Sequence, residues 1–480
     1  MKKLIYLFIL VPLAIIAQTP SQDQNYIMTT IYQKEYLNGQ EQNATDDEKI
    51  TIINYFDGLG RPVQNIGVKA GGNHEDIVTF ITYDAYGRQS KEYLPYATIN
   101  NGGAFKANAL TATNNFYNTV KYENTINPYS EKYFEASLLN RVKEQGAPGS
   151  DWVVNKNSDL DHTIKFDYKT NTSATEVRLY SVSLSSDYTP TLQNPTPYYY
   201  GVGELYKTIT KDENWQPSDG TNHTTEEFKD KQGRVILKRT YNNGQKHDTF
   251  YVYDDYGNLT YVLPPKSEAT STLPNATKLA DLCYQYKYDT RNRLIEKKIP
   301  GKGWEYIVYN NLDQPILTQD ANQRAKSPDE WLFSKYDAFG RIVYTGIYKN
   351  NSSRATLQGY ITSPTSSYSE YEAYTPSSTT LGGIPLYYTN SALPTGNLET
   401  LTVNYYDEYT DLPIGLSTSV TTSYGIASTT NQKGLATVSK VKVLGTTNWI
   451  TTVIYYDDKA RPIYTYTKND YLQTTDIVEN

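Results

Sequence analysis

The sequence has very few of the residues from which disulfide frameworks and metal centres are built. Cys283 is the single cysteine among 480 residues, so neither an intramolecular disulfide nor a zinc site based on cysteine pairs can form. The four histidines, at positions 74, 162, 223 and 247, lack metal-ligand spacing, and the chain has no GxSxG, P-loop or Rossmann motif. We therefore expect no metal, no cofactor and no enzymatic activity.

Basic clusters and long apolar runs are also scarce. Lys and Arg number 45 against 52 Asp and Glu, so the net charge of -7 does not favour a DNA or RNA partner. A hydrophobic content of 38% excludes a multispan membrane protein. The apolar stretch 4–16 follows Lys2 and Lys3 and precedes Ala17, which predicts a Sec signal peptide over residues 1–17. Because this stretch is shorter than the roughly 20 residues of a spanning helix, we expect an exported chain with no membrane span after cleavage.

Tyrosine is the residue present in surplus. The chain has 48 tyrosines, against 11 Phe, 5 Trp and 2 Met. A phenol ring packs its face on apolar neighbours while its hydroxyl reaches water or a polar partner. This composition favours wide two-sided β-sheets.

A six-residue motif recurs along the chain. Its nine copies are FDGLGR at 56–61, YDAYGR at 83–88, KDKQGR at 229–234, YDDYGN at 253–258, YDTRNR at 288–293, YNNLDQ at 309–314, YDAFGR at 336–341, YDEYTD at 406–411 and YDDKAR at 456–461. Adjacent copies start 21 to 35 residues apart, which leaves room for two strands and their turns.

Each copy is interpreted as the tip of a β-hairpin. In the copy at 83–88, Asp84 suits the first position of a type I turn, and Gly87 suits the left-handed position of a G1 bulge. Tyr83 ends one strand, and Arg88 opens the next, where its guanidinium can stack on an aromatic ring. The residues assigned to this structural motif are Asp57, Gly60, Arg61, Tyr83, Asp84, Gly87, Arg88, Asp230, Gly233, Arg234, Tyr253, Asp254, Gly257, Tyr288, Asp289, Arg293, Tyr336, Asp337, Gly340, Arg341, Tyr456, Asp457 and Arg461.

Four copies replace the glycine. Asn292 and Asp313 are residue types that tolerate positive φ, so we expect ordinary tips there. Ala460 and Thr410 tolerate it less well, and we expect their tips to be distorted or to use another turn.

The repeated YDxxGR motif resembles the YD repeats of Rhs proteins, which also occur in toxin-complex shell subunits and teneurins. The runs at 55–64, 93–96 and 129–152 look like the N-terminal module, of unknown function, of bacterial secreted Rhs-type proteins, and 433–463 is similar to a strand-rich linker of those proteins. The resemblance implies antiparallel hairpins that spiral into a partial hollow shell, with few helices. It also implies secretion or display at the surface of a Gram-negative bacterium.

In that family the shell often encloses a C-terminal toxin, which is released by self-cleavage at a core motif containing Asp-Pro-x-Gly. The sequence ends without that motif, since its nearest match, at 411–415, has an inserted Leu412. We therefore expect either the N-terminal part of a shell, whose partner is a toxin or a downstream shell segment, or a degenerate short member of the family.

The predicted organisation follows the motif copies. An N-terminal module with two YD-like hairpins is predicted at 18–160, with a helix or long loop at 104–122. A β-rich connector follows at 161–225, the YD-repeat segment at 226–346, a Ser/Thr/Pro-rich loop or insertion at 347–400, and further hairpins at 401–480.

Two alternative functions remain open. The aromatic residues Tyr198, Tyr199, Tyr200 and Trp215 could stack on sugars, which would indicate a surface carbohydrate-binding or adhesion protein with cell-surface glycans as partners. A glycosidase that uses two of the many carboxylates is the less favoured alternative. For Cys283, which lies in a strand-like run, we expect a buried and unreactive thiol.

Overall fold

The computed structural model describes residues 20–34, 36, 39–99, 102–363, 365 and 367–480. The predicted signal peptide at 1–17 lies outside them. The chain divides into two compact units. The first comprises residues up to 176 together with 200–248, and the second comprises 177–199 together with 249–480.

Strands dominate both units. They are β1 Asn25–Tyr32, β2 Lys49–Phe56, β3 Pro62–Val68, β4 Asp76–Phe80, β5 Lys91–Tyr93, β6 Tyr96–Thr98, β7 Tyr129–Phe134, β8 Val142–Gly146, β9 Ile164–Thr170, β10 Ser181–Leu184, β11 Pro190–Gln193, β12 Tyr206–Lys211, β13 Thr224–Lys229, β14 Val235–Asn242, β15 Gln245–Tyr253, β16 Leu259–Leu263, β17 Tyr284–Tyr288, β18 Leu294–Lys298, β19 Glu305–Tyr309, β20 Pro315–Gln319, β21 Glu330–Tyr336, β22 Ile342–Lys349, β23 Tyr374–Leu381, β24 Ile384–Tyr388, β25 Leu398–Tyr406, β26 Ala436–Lys442, β27 Trp449–Tyr456, β28 Pro462–Asn469 and β29 Thr474–Glu479.

The α-helices in the described part of the chain are short. They are α1 Ala109–Tyr117, α2 Ala276–Leu282, α3 Ala321–Arg324 and α4 Arg354–Thr362. Short 3-10 helices occur at Glu41–Asn43, Asp46–Glu48, Val120–Tyr122, Ser150–Trp152, Pro217–Asp219 and Pro265–Ser267. Across the residues that the structure describes, no helix has the length and apolar character needed to cross a membrane.

The first unit contains two antiparallel sheets. One has the strand order β1-β2-β3-β4-β6, and its core consists of Ile53, Tyr55, Ile66, Val78 and Tyr96, covered by Ala109 of α1. The other pairs β5, β7, β8, β9, β12, β13 and β14 in that order. Alternating strand residues thus supply the core, as the period-2 geometry of a strand requires.

The second unit is built on one run of antiparallel pairs. It leads from β15 through each successive strand to β22, then through β25 to β29. Two small hairpins, β10–β11 and β23–β24, lie outside this run. Large side chains such as Trp331, Phe333, Tyr405 and Tyr455 are fully buried in its core. The predicted fold class, mostly antiparallel β with few helices, is confirmed.

The segment predicted as a Ser/Thr/Pro-rich loop or insertion contains regular structure. Helix α4 and the hairpin β23–β24 lie within 347–400, between the paired strands β22 and β25. Ser353 caps α4 by accepting a hydrogen bond from the backbone N–H of Thr356. Buried Leu357 and Ile361 of the helix, together with Ile384 and Leu386 of β24, belong to the core of the second unit.

Candidate functional site: the row of hairpin tips

The tip at 336–341 shows the geometry that the motif produces. Asp337 Oδ1 accepts hydrogen bonds from the backbone N–H groups of Phe339 and Arg341, each at 2.9 Å, and Oδ2 accepts Arg341 Nε at 2.6 Å. The backbone closes the same loop, because Gly340 N–H donates to Asp337 O at 3.0 Å. The strand register shifts by one residue between Lys335 and Tyr336, which is the predicted bulge.

The same set of side-chain hydrogen bonds recurs in both units. It forms between each tip aspartate and the arginine four residues later, at Asp57, Asp84, Asp230, Asp289 and Asp457. Two tips achieve it without an arginine. Asn258 Nδ2 donates to Asp254 Oδ2 at 3.0 Å, and Asn310 Nδ2 donates to Gln314 Oε1 at 2.7 Å. The tip therefore needs the hydrogen bonds rather than the charge.

At several tips, hydrogen bonds lower the pKa of the carboxylate and favour its ionised form. For Asp57, the backbone N–H of Arg61 is the main cause that lowers the pKa. For Asp289 and Asp457, burial alone would raise the pKa, but the hydrogen bonds from Arg293 and Arg461 outweigh burial and hold the pKa below its ordinary value. Each of these carboxylates is thus bound within its own turn.

The residues that replace glycine behave differently from one another. Asn292 has φ 57° and Asp313 has φ 62°, so both adopt the left-handed conformation. The prediction of a distorted tip at Ala460 is wrong: its φ is 60°, and its N–H donates to Asp457 O at 3.1 Å as glycine does elsewhere. The eight hydrogen-bonded copies show that the side-chain oxygen of the second residue, Asp or Asn, determines this turn, so alanine follows it despite the steric cost. At 406–411 the chain uses another connection, because Asp407 N–H donates to Leu435 O.

Adjacent tips contact each other through arginine–aromatic pairs and hydrogen bonds. The sequence alone did not identify which tips contact one another. The arginine of one tip lies over the aromatic ring that begins the next: Arg61 over Tyr83 at 4.4 Å, Arg293 over Tyr309 at 4.7 Å and Arg341 over Tyr406 at 4.4 Å from the ring centroid. The tyrosine hydroxyl then donates to the carbonyl that follows the arginine position of the preceding tip. These bonds are Tyr83 to Pro62, Tyr288 to Leu259, Tyr309 to Leu294, Tyr336 to Pro315 and Tyr406 to Ile342, at 2.8–3.0 Å.

Charged pairs add to these contacts in the second unit. Arg341 donates to Asp407 through both terminal nitrogens, at 3.3 and 2.8 Å, and Arg293 donates to Asp313 Oδ1 at 2.8 Å. We call the resulting line of contacting tips within each unit the tip row. In the first unit it comprises 57–61, 84–88 and 135–141, and in the second it comprises 254–258, 289–293, 310–314, 337–341 and 407.

One member of the tip row was missed by the sequence motif. Between β7 and β8, Glu135 takes the aspartate role and accepts Arg141 Nε at 2.8 Å, while Asn140 has φ 52°. Arg88 of the preceding tip lies 4.5 Å from the ring of Phe134, and its Nη1 donates to Asn140 Oδ1 at 2.8 Å. This tip is two residues longer than the motif and begins with Glu. The aromatic-acid pair 134–135 and the Asn-Arg pair 140–141 were the signals that could have found it.

The tips expose the residue in the middle of each turn. Where this residue is apolar it is largely exposed: Leu59 is 79%, Tyr86 82%, Tyr256 60%, Leu312 58% and Phe339 81% exposed. The tip row therefore exposes apolar side chains to solvent, and the hydrogen bonds within each tip lie beneath these side chains.

The four residues predicted to stack on sugars differ in exposure. Tyr198 is 52% exposed in the second unit, where the ring of its neighbour Tyr199 lies 5.7 Å from the guanidinium of Arg178. In the first unit, burial raises the pKa of Tyr200 to about 12. The prediction is wrong for Trp215. Its indole is buried and donates to Gly220 O, and Lys211 Nζ lies 4.0 Å from the ring centroid. No face of the ring is left free for a sugar.

Cys283 and the acidic residue Asp254 are the remaining candidate residues. Cys283 is fully buried, and burial raises the pKa of its thiol to about 11. No group of three or more His, Cys, Asp or Glu with metal-binding geometry occurs among the residues that the structure describes. Asp254 Oδ1 accepts hydrogen bonds from the backbone N–H groups of Tyr256 and Asn258 in its own tip.

Comparison with known proteins gives a partial match. Residues 28–169 match the family model described as "Domain of unknown function (DUF6443)". No curated protein matches the chain.

Solved structures of toxin-complex components are similar at low identity. The crystal structure of TcdB2-TccC3-TEV is 12% identical with a TM-score of 0.42, covering 96% of this chain and 22% of that chain. TcdB2-TccC3 without its hypervariable C-terminal region is 11% identical with a TM-score of 0.38, covering 90% and 19%. A Tc holotoxin pore of Photorhabdus luminescens is 12% identical with a TM-score of 0.39, covering 90% and 21%. The chain spans about a fifth of the length of each of these.

Proposed function

We propose that the chain is an exported, non-catalytic scaffold of the Rhs type, a part of a β-shell wall. The tip row is the observation that supports this proposal. A single hairpin is marginally stable, whereas a hairpin whose tip contacts the preceding tip gains stability from its neighbour. Such a unit can be repeated to extend a sheet, which is what a wall requires.

The tip chemistry also accounts for the absence of a catalytic role in this proposal. Carboxylates that accept two N–H groups and a guanidinium are occupied, and the lowered pKa of Asp57, Asp84, Asp289 and Asp457 makes these four residues poor proton donors. The row instead holds strands in register. In the proposed function the wall encloses a toxin or mediates contact at the cell surface, and the signal peptide at 1–17 directs export through Sec from a Gram-negative cell.

Protease protection tests the packaging role. The product of the complete reading frame is purified and digested with a nonspecific protease, and the survival of any segment after residue 480 is followed by mass spectrometry. If the segment is packaged, it should survive digestion while it is inside the intact wall. It should be digested in the double variant Arg341→Ala/Asp407→Ala, which removes two contacts of the tip row. Digestion at the same rate in both proteins would refute packaging.

Cell fractionation tests export separately. Deletion of residues 1–17 should retain the protein in the cytoplasm, and the intact chain should appear at the surface or in the medium. Cytoplasmic retention of the intact chain would contradict the proposed localisation.

A further inference from the structure

Lys335 is a buried amine that the tip row does not use. It lies on the same face of β21 as Trp331 and Phe333, its side chain is 0% exposed, and its Nζ lies 5.1 Å from the ring centroid of Tyr344. Burial in these surroundings lowers the pKa of Lys335, although the neighbouring Glu372 carboxylate opposes that shift. A lysine with a lowered pKa has a larger fraction of neutral amine, which is the nucleophilic form.

An amide and a carboxylate converge on this amine. Lys335 Nζ lies 2.5 Å from Asn390 Oδ1 and 2.8 Å from Glu372 Oε1. Because Oδ1 is bonded directly to Cγ, the carbonyl carbon of the Asn390 side chain lies beside the amine. A nucleophile, an electrophile and a proton acceptor thus meet at one point, where Lys335 and Glu372 are buried and Asn390 is half-buried.

Further hydrogen bonds hold the three groups in place. Glu372 Oε2 accepts the Thr389 hydroxyl at 2.6 Å and Ser391 N–H at 2.9 Å. Asn390 Nδ2 donates to Thr395 O at 2.8 Å. Nζ itself also donates to Ala392 O at 2.9 Å. Fixed contact between reacting groups lowers the entropic part of a reaction barrier.

We propose that Lys335 and Asn390 join through an intramolecular isopeptide bond, with Glu372 as the proton carrier. The neutral amine of Lys335 attacks Asn390 Cγ, and Glu372 accepts the proton that Nζ loses. The Cγ–Nδ2 bond then breaks, Glu372 returns the proton to the departing nitrogen, and one ammonia leaves. The products are a secondary amide and ammonia, Glu372 is regenerated, and no oxidant or other reactant is consumed.

The bond would fasten the insertion at 347–400 to the sheet. It would join β21 to the segment after β24, positions that are 55 residues apart in sequence. A covalent link over such a loop constrains the unfolded chain as a disulfide does. This chain has one cysteine and cannot form an intramolecular disulfide, so an amide link would supply that constraint by another chemistry. The proposal does not depend on the proposed scaffold function.

Peptide mapping of the purified full-length chain tests the bond directly. We expect a branched peptide in which Lys335 and Asn390 are linked, with a mass lower by about 17 Da than the sum of its two parts. The intact mass alone does not show whether the bond has formed, because an N-terminal Gln18 exposed by signal cleavage can also lose ammonia. Recovery of the two separate, unmodified peptides in full yield from the folded protein would overturn the proposal.

Three variants separate the roles of the residues. Lys335→Met should give no branched peptide. Asn390→Asp should give the same bond with loss of about 18 Da, because water leaves in place of ammonia. Glu372→Gln should slow formation of the bond about 100-fold or more, as expected when a general base is removed. Branching in Glu372→Gln at the rate of the unmodified sequence would refute the role of Glu372.

Discussion

The carboxylate of Asp337 offers the clearest test of what holds a tip together. Substituting Asp337→Ala removes its hydrogen bonds from two backbone N–H groups at 2.9 Å and from the Arg341 guanidinium at 2.6 Å. The Asp337 side chain is 11% exposed, so its interactions are only partly screened by water. Hydrogen bonds to a charged group contribute about 1.5–3 kcal/mol each, but the freed N–H groups at an exposed tip can bind water. We therefore expect a loss of about 3 kcal/mol in the free energy of unfolding.

Urea unfolding followed by circular dichroism measures this loss, and two variants serve as controls. Asp255→Ala removes an exposed carboxylate from the middle of another tip and should change the free energy of unfolding by less than about 0.5 kcal/mol. Asp337→Asn keeps an acceptor, as Asn310 does naturally, and should cost about 1 kcal/mol. If Asp337→Ala is no more destabilising than Asp255→Ala, the assignment of stability to the tip carboxylate is wrong.

Three further predictions concern other properties of the tips. Because Asp289 and Asp457 have pKa values below the ordinary value of about 3.9, their contribution is complete above that pH and is lost as the pH falls through the folded-state pKa. The urea concentration at the midpoint of unfolding should accordingly decrease as the pH is lowered below about 4. A midpoint concentration that stays constant down to about pH 2.5 would contradict this. Tyr309→Phe removes the 2.8 Å bond to Leu294 O and should cost about 1 kcal/mol in urea unfolding, with unchanged stability as the opposing result. Ala460→Gly relieves a residue held at φ 60° and should raise the free energy of unfolding by about 0.5 kcal/mol, whereas a loss of stability would show that the alanine is not strained.

The sequence predicted the features that are local in the chain. The acid, the left-handed residue and the arginine of a tip lie within six positions, so the motif carries the whole turn and its bulge. The repetition of that turn, with β-forming residues on either side, was sufficient to predict an antiparallel β-fold. The positive φ of Asn292 and Asp313 followed from the intrinsic preference of those residue types.

The features that depend on distant residues could not be predicted in this way. Arg341 contacts a ring and a carboxylate 65 and 66 residues further along the chain, and nothing in the motif specifies which copy lies next to it. The tip between β7 and β8 was missed because two extra residues and a glutamate break the spacing. The group around Lys335 was missed because its members, at 335, 372 and 390, come together only when the hairpin β23–β24 packs on the sheet.

A double-mutant cycle between Arg341 and Asp407 measures whether adjacent tips stabilise each other. Their side chains are 23% and 33% exposed and form two hydrogen bonds across neighbouring tips. We expect a coupling free energy of about 1 kcal/mol between Arg341→Ala and Asp407→Ala in urea unfolding. Additive effects, with a coupling below about 0.3 kcal/mol, would show that the tips are independent hairpins and would contradict the tip row as the basis of the scaffold.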